Sequence, residues 1–129
     1  RYRAALPISN LMQYQDAIRF IAMQPNVTAM RDALRAAAAE DPWFKVPADS
    51  LSNGSPTAAH VTWEYRRPPR RMSLAQTLEL DLVLARQFQR HADFPEGVRA
   101  LLIDKDRKPD WSIKRFEDVT PAVVAEHFV

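Results

Sequence analysis

Apolar residues recur at intervals of three and four positions along most of this 129-residue chain, the spacing that places side chains on one face of an α-helix. Helix start and stop signals divide the pattern into six predicted helices. They cover approximately residues 11–24, 27–40, 56–67, 74–90, 94–104 and 121–128. No segment has the alternation of a β-strand. The sequence therefore predicts an all-α fold, a single small domain of five to six helices over residues 1–129.

Short polar residues stand where these helices are predicted to begin. Ser73 with Gln76, and Asp93 with Glu96, form two capping-box patterns. Single capping residues are predicted at the other starts: Asn10, Asn26, Ser55 and Thr120. The mixed segment 43–52 predicts no more than one short turn at residues 48–51.

The predicted helix 74–90 is apolar over an unusually wide surface. Its main stripe and the residues that widen it are Leu74, Leu78, Leu82, Ala85 and Phe88, then Leu80, Val83 and Leu84. So broad a surface predicts burial on more than one side. Because a bundle of this size cannot cover it, we expect the chain to self-associate as a homo-oligomer.

Composition excludes several classes of protein. The chain has two glycines and no cysteine, which disfavours all-β folds and phosphate-cradling loops and excludes disulfides, thiolate metal sites and a cysteine nucleophile. No apolar run could span a bilayer and no signal peptide is visible, so we expect a cytoplasmic protein without a membrane partner. Arginine- and alanine-rich usage suggests a GC-rich bacterial genome. The start at Arg1 suggests a fragment of a larger protein.

Catalytic signatures are missing from the sequence. There is no nucleophile elbow, Walker loop or dinucleotide fingerprint, and His60, His91 and His127 share no metal-ligand spacing. We therefore expect no catalytic residue and no metal. The cluster Arg66 to Arg71 is read as a solvated loop between two helices, although four guanidiniums beside two prolines could also grip phosphates. It lacks interleaved aromatic residues, and no helix-turn-helix spacing is evident, so no nucleic-acid partner is expected.

The most specific stretch runs from Asp93 to Trp111, here named the signature segment. It resembles the pattern DF-x-EGVRA-x-LIDKD-x-x-P-x-W of 3-hydroxyisobutyryl-CoA hydrolases and their hydratase relatives in the crotonase superfamily. The resemblance extends upstream to Ser55-Pro56-Thr57 and covers roughly Met30 to Trp111. Departures at residues 58–60 and at Asp81 leave the acyl group open.

This resemblance implies the C-terminal helical region of an acyl-CoA enzyme, without its β/α core. In the family, two backbone N–H groups stabilise the anion formed at the thioester carbonyl, and an acidic residue activates water. Those groups belong to the core, so the resemblance implies that this chain caps the acyl-CoA site and aids assembly. The parent is either a hydrolase or a hydratase/isomerase.

Three basic residues near the predicted helix end are candidates for contact with coenzyme A, namely Arg99, Lys105 and Lys108. Charge complementarity with the phosphates and the resemblance together support them. Lys105 and Lys108 could instead only stabilise the helix dipole. Acyl-CoA would be the substrate of the parent, and no cofactor is expected. A stand-alone helical interaction or oligomerisation domain is the alternative.

Overall fold

Every regular element that the computed structural model describes, within residues 9–66 and 72–129, is helical. The eight α-helices in those ranges are α1 Asn10–Gln13, α2 Gln15–Ala22, α3 Val27–Glu40, α4 Lys45–Asn53, α5 Pro56–Tyr65, α6 Leu74–Arg90, α7 Asp93–Val98 and α8 Pro121–Ala125. A π-helix at Arg99–Ile103 continues α7, and 3₁₀ turns lie at Pro42–Phe44, Phe116–Asp118 and Glu126–Phe128. The predicted all-α class is confirmed, with more helices than expected.

Local signals predicted α3 and α6 with their observed bounds. The Asn26 side chain accepts a hydrogen bond from the Ala29 amide at 2.8 Å, which caps α3. At α6, Ser73 Oγ accepts from the Gln76 amide at 3.3 Å and Gln76 Oε1 accepts from the Ser73 amide at 2.9 Å. The capping box predicted there is confirmed, because both halves of it depend only on residues three apart.

The first predicted helix is divided, and one helix was missed. Tyr14 has φ −98° and ψ 10°, which separates α1 from α2, and its ring stacks on Trp43 with centroids 4.3 Å apart. Ser9, rather than Asn10, occupies the N-cap position of α1. The missed helix α4 contains Pro47 in its first turn, where an amide has no partner within the helix and proline is tolerated.

The chain divides into two compact units, Arg1–Ser52 and Asn53–Val129. Within the first unit α2 packs on α3, and within the second unit α5 packs on α8. In the first unit the buried apolar residues include Ile21, Val27 and Phe44.

The second unit buries polar groups among its apolar core. Val61, Ala100 and Phe116 are buried, together with Ser55, Thr57, Asp93 and His127. No helix in the described ranges is long and apolar enough to cross a membrane.

Helix α6 leaves much of its wide apolar surface exposed, as expected for a bundle too small to cover it. No residue of α6 is fully buried, and Leu74, Leu78 and Leu82 are 76%, 59% and 51% exposed. The unit packs on the opposite side of the helix, where Leu80 and Leu84 are partly covered. One apolar stripe of α6 therefore has no cover among the residues that the structure describes.

His127 is fully buried and held in a defined orientation in the last turn. Its Nδ1 donates to the Val123 carbonyl at 2.9 Å, and its ring stacks on His91 with centroids 4.1 Å apart. The Phe88 ring contacts the His127 ring, with centroids 4.9 Å apart. Nε2 is buried with no partner among the described residues. Burial lowers the pKa of His127, and the nearby His91 acts in the same direction.

We expect the protein to lose stability as the pH falls below about 6.5. Because the folded-state pKa of His127 lies below its unfolded value, the unfolded chain binds the proton first, and the stabilisation present above the unfolded pKa is lost towards the folded one. Thermal unfolding between pH 7.5 and pH 5 measures this. His127→Phe should flatten the profile, whereas Asn26→Ala, which removes a helix cap and no titratable group, should leave its slope unchanged. An unaltered slope in His127→Phe would contradict the assignment.

Candidate functional site

A buried carboxylate, that of Asp93, links the signature segment to the rest of the second unit. Asp93 Oδ2 accepts a hydrogen bond from Ser55 Oγ at 2.5 Å. Its Oδ1 accepts from the Ser112 amide at 2.8 Å and from Ser112 Oγ at 2.7 Å. Ser55 also caps α5 by accepting from the Ala58 amide at 3.0 Å. Asp93 therefore joins the starts of α5 and α7 to the chain that follows the segment.

These bonds replace the capping box predicted for Asp93 and Glu96. Ala92 holds the N-cap position of α7 without a side-chain hydrogen bond, so that prediction is wrong. The donors of Ser55 and Ser112, distant in sequence, take the Asp93 oxygens instead. Burial tends to raise the pKa of Asp93, but these hydrogen bonds outweigh it and hold the pKa below its usual range.

Trp111 closes the segment back onto its own helix. The ring lies against Gly97, where a Cβ atom would be only 3.3 Å from the ring carbon Cη2. Its Nε1 donates to the Asn53 carbonyl at 2.9 Å. Glycine at position 97 therefore allows the close approach of the indole.

Arg99 lies at the centre of the segment. Its Nε and one terminal nitrogen bind both oxygens of Glu96, at 2.9 and 2.7 Å. The other terminal nitrogen binds Asp104 at 2.5 Å and Asp106 at 2.9 Å. A further bond reaches the Lys108 carbonyl at 3.2 Å. The guanidinium is therefore surrounded by three carboxylates and a backbone oxygen of its own segment.

Charge pairing shifts the pKa of both groups at this centre. Hydrogen bonds from Arg99, and then from the Asp110 amide at 2.7 Å, lower the pKa of Glu96 to about 2. Hydrogen bonds to Glu96, and then to Asp106 and Asp104, raise the pKa of Arg99. Both groups remain charged over the physiological range.

The helix ends in an unusual backbone. The Asp104 amide bonds to the Arg99 carbonyl at 2.8 Å, a π-helical bond, and π-bulges are frequent at functional sites. Lys105 and Arg107 then have φ of 56° and 55°. Left-handed backbone costs about 1–2 kcal/mol for a residue with a side chain, so this conformation needs support from its surroundings.

The three sequence-predicted residues lie on this one segment but in different environments. Arg99 is directed at carboxylates of the segment, whereas Lys105 and Lys108 are exposed on the loop that follows. None of the ion pairs found in the described ranges involves Lys105 or Lys108. The loop therefore presents two cations to solvent.

Sequence reasoning passed over Arg107, which shares the loop, is exposed and takes part in no ion pair found in the described ranges. No local pattern marks it. The contact between His91 and His127 was also missed, because 36 positions separate them in the chain. Most of the Arg66 to Arg71 cluster lies outside the described residues; Arg66 itself rests 3.8 Å above the Trp63 ring centre.

The segment is suited to binding rather than to proton transfer. A general base needs a pKa near the working pH, whereas the carboxylates of Asp93 and Glu96 have lowered pKa values and are occupied by donors. Among the residues that the structure describes, no group of His, Asp and Glu could hold a metal ion. The segment offers a hydrogen-bonded loop with exposed cations.

The family model described as enoyl-CoA hydratase/isomerase matches residues 2–128, so the chain belongs to this family. Among solved structures, an enoyl-CoA hydratase from Rhodobacter sphaeroides 2.4.1 is similar, with a TM-score of 0.81 and 30% sequence identity. The match covers 95% of this chain and 36% of that one.

Curated relatives include 3-hydroxyisobutyryl-CoA hydrolases. The Dictyostelium discoideum protein is 33% identical over 87 residues, which are 67% of this chain and 23% of the relative. The Xenopus laevis protein is 39% identical over 71 residues, which are 55% of this chain and 18% of the relative. The human protein is 35% identical over 78 residues, which are 60% of this chain and 20% of the relative. The chain thus spans about a quarter or less of the length of these relatives.

We expect Asp93→Ala to destabilise the protein by about 2–3 kcal/mol, because it leaves the Ser55 and Ser112 donors without their charged acceptor. Chemical denaturation measures the loss. The matched control is Asp110→Ala, since that side chain is exposed and forms an ion pair with Lys114, a contact of small value. Equal stability of the two variants would show that Asp93 does not anchor the segment.

Proposed function

We propose that this chain is the C-terminal helical part of an acyl-CoA enzyme similar to 3-hydroxyisobutyryl-CoA hydrolase. It packs over a catalytic core, helps to close the acyl-CoA site and contributes to subunit assembly. The reaction itself, hydrolysis or hydration of the thioester substrate, belongs to the core. The observation that carries the proposal is an uncovered apolar surface on a chain that matches only part of its relatives.

That surface has two parts in the second unit. Leu74, Leu78 and Leu82 follow one another along α6, and Leu101, Leu102 and Ile103 of the π-helix are 61%, 63% and 69% exposed. Exposed single leucines are ordinary, but two continuous groups indicate a contact surface. The 36% coverage of the solved hydratase leaves enough additional protein in that relative to supply the cover.

The exposed cations support a role beside the substrate. Coenzyme A carries several phosphate charges, and Lys105 and Lys108 lie on a loop between the π-helix and Trp111. An ammonium group binds a phosphate as a point charge. In this proposal the two lysines contact the CoA phosphates, with Arg99 belonging to the same site.

We expect the purified chain alone to turn over neither 3-hydroxyisobutyryl-CoA nor crotonyl-CoA, because the groups that stabilise the thioester anion lie in the core. Release of CoA and loss of the enoyl absorbance measure the two reactions. A Rhodobacter sphaeroides hydratase from which the region matching this chain has been removed should regain activity when the chain is added. Turnover by the chain alone would contradict the proposal, and a truncated enzyme indifferent to the chain would favour a stand-alone interaction domain.

Without a core, the leucines of α6 should drive self-association, which light scattering at rising concentration measures. Each buried leucine contributes about 2 kcal/mol, so Leu78→Glu should weaken association about 30-fold. Ala36→Glu is the control, since it adds the same charge to an exposed position of α3. A wild-type chain that stays monomeric at high concentration would count against the proposed surface.

A further inference from the structure

We propose that Arg99 is a positioning residue that holds the loop 104–110 in its binding conformation, and that Arg107 joins Lys105 and Lys108 in contacting the phosphates. This inference rests on the proposed function and assigns different tasks to the basic residues of that site. Arg99 acts on the loop through the carboxylates that it binds. Lys105, Arg107 and Lys108 present their charges to the ligand.

The first step is the donor count of Arg99. A guanidinium has five N–H donors, and five hydrogen bonds to Glu96, Asp104, Asp106 and the Lys108 carbonyl account for them. A phosphate could bind Arg99 only by displacing one of these partners. All five donor–acceptor distances lie between 2.5 and 3.2 Å, so every N–H group of the guanidinium has a partner.

The second step is the alternation along the loop. Arg99 binds the side chains of Asp104 and Asp106 and the carbonyl of Lys108, and its partner Glu96 binds the Asp110 amide. The even-numbered positions are thus tied to the Arg99–Glu96 pair. Asp106 adds a bond to the Lys108 amide at 2.8 Å.

Lys105 and Arg107, at two of the odd-numbered positions between them, are the basic residues in left-handed backbone. Lys105 and Arg107 have φ of 56° and 55° and are exposed. Arginine and lysine seldom adopt this conformation, so bonds on either side must impose it. The Arg107 amide itself bonds to the Ala100 carbonyl at 3.0 Å, which ties this residue to the helix end.

The third step is the charge balance. Between residues 96 and 110 the chain has four acidic and four basic residues, so its net charge does not attract an anion. The arrangement separates the charges, because Arg99 engages Glu96, Asp104 and Asp106, while the remaining cations take part in no ion pair found in the described ranges. Arg99 therefore both shapes the loop and offsets the carboxylates that would repel a phosphate.

The test measures binding of coenzyme A to the full 129-residue chain, together with hydrogen exchange of the Lys108 and Asp110 amides without ligand. Arg99→Lys keeps the charge but loses the fork, so it should weaken binding about tenfold and speed exchange at both amides. Arg107→Gln should weaken binding about tenfold with unchanged exchange. Controls are Arg115→Gln for loss of a loosely paired exposed charge and Asn26→Ala for loss of a helix cap.

Three results would overturn parts of this scheme, and each is distinct. Wild-type affinity in Arg99→Lys, or weaker binding with unchanged loop exchange, would show that Arg99 is not a positioning residue. Wild-type affinity in Arg107→Gln would remove Arg107 from the contact. A wild-type chain that binds no coenzyme A would overturn the phosphate contact in the proposed function and this inference with it.

Discussion

The arrangement of the second unit depends on how a buried negative charge is satisfied. Asp93 lies within the protein and accepts three hydrogen bonds from Ser55 and Ser112, at the start of α5 and just beyond Trp111. A carboxylate withdrawn from water needs such donors, and they in turn need the carboxylate. These hydrogen bonds hold the start of α5, the start of α7 and the chain after Trp111 at one point. The π-helix and its loop lie between the last two of these segments.

A second charge centre lies six residues along and performs a different task. Arg99 is partly exposed, and its partners all come from the same short segment. It therefore shapes a loop rather than joining distant helices. Functional loops are often held in uncommon backbone conformations by surrounding bonds, and the left-handed residues Lys105 and Arg107 fit that description.

The exposed leucines of the second unit connect the fold with the proposed function. Leu78 of α6 and Leu102 of the π-helix are 59% and 63% exposed. Water contact on such groups is unfavourable, and the match covers only 36% of the Rhodobacter sphaeroides hydratase. Membership of the enoyl-CoA hydratase/isomerase family and the exposed surface thus support the same proposal.

Local sequence determined where α3 and α6 lie, because caps such as Asn26 and the apolar spacing act within a few residues. It also identified the family through the signature segment. The tertiary structure decided the role of Asp93, which resembled a cap, and the surroundings of Arg99, which resembled a ligand contact. It also brought His127 to α6. Each of these three environments depends on partners whose positions follow from packing and from turns of the backbone. Residue spacing along the sequence does not contain that information.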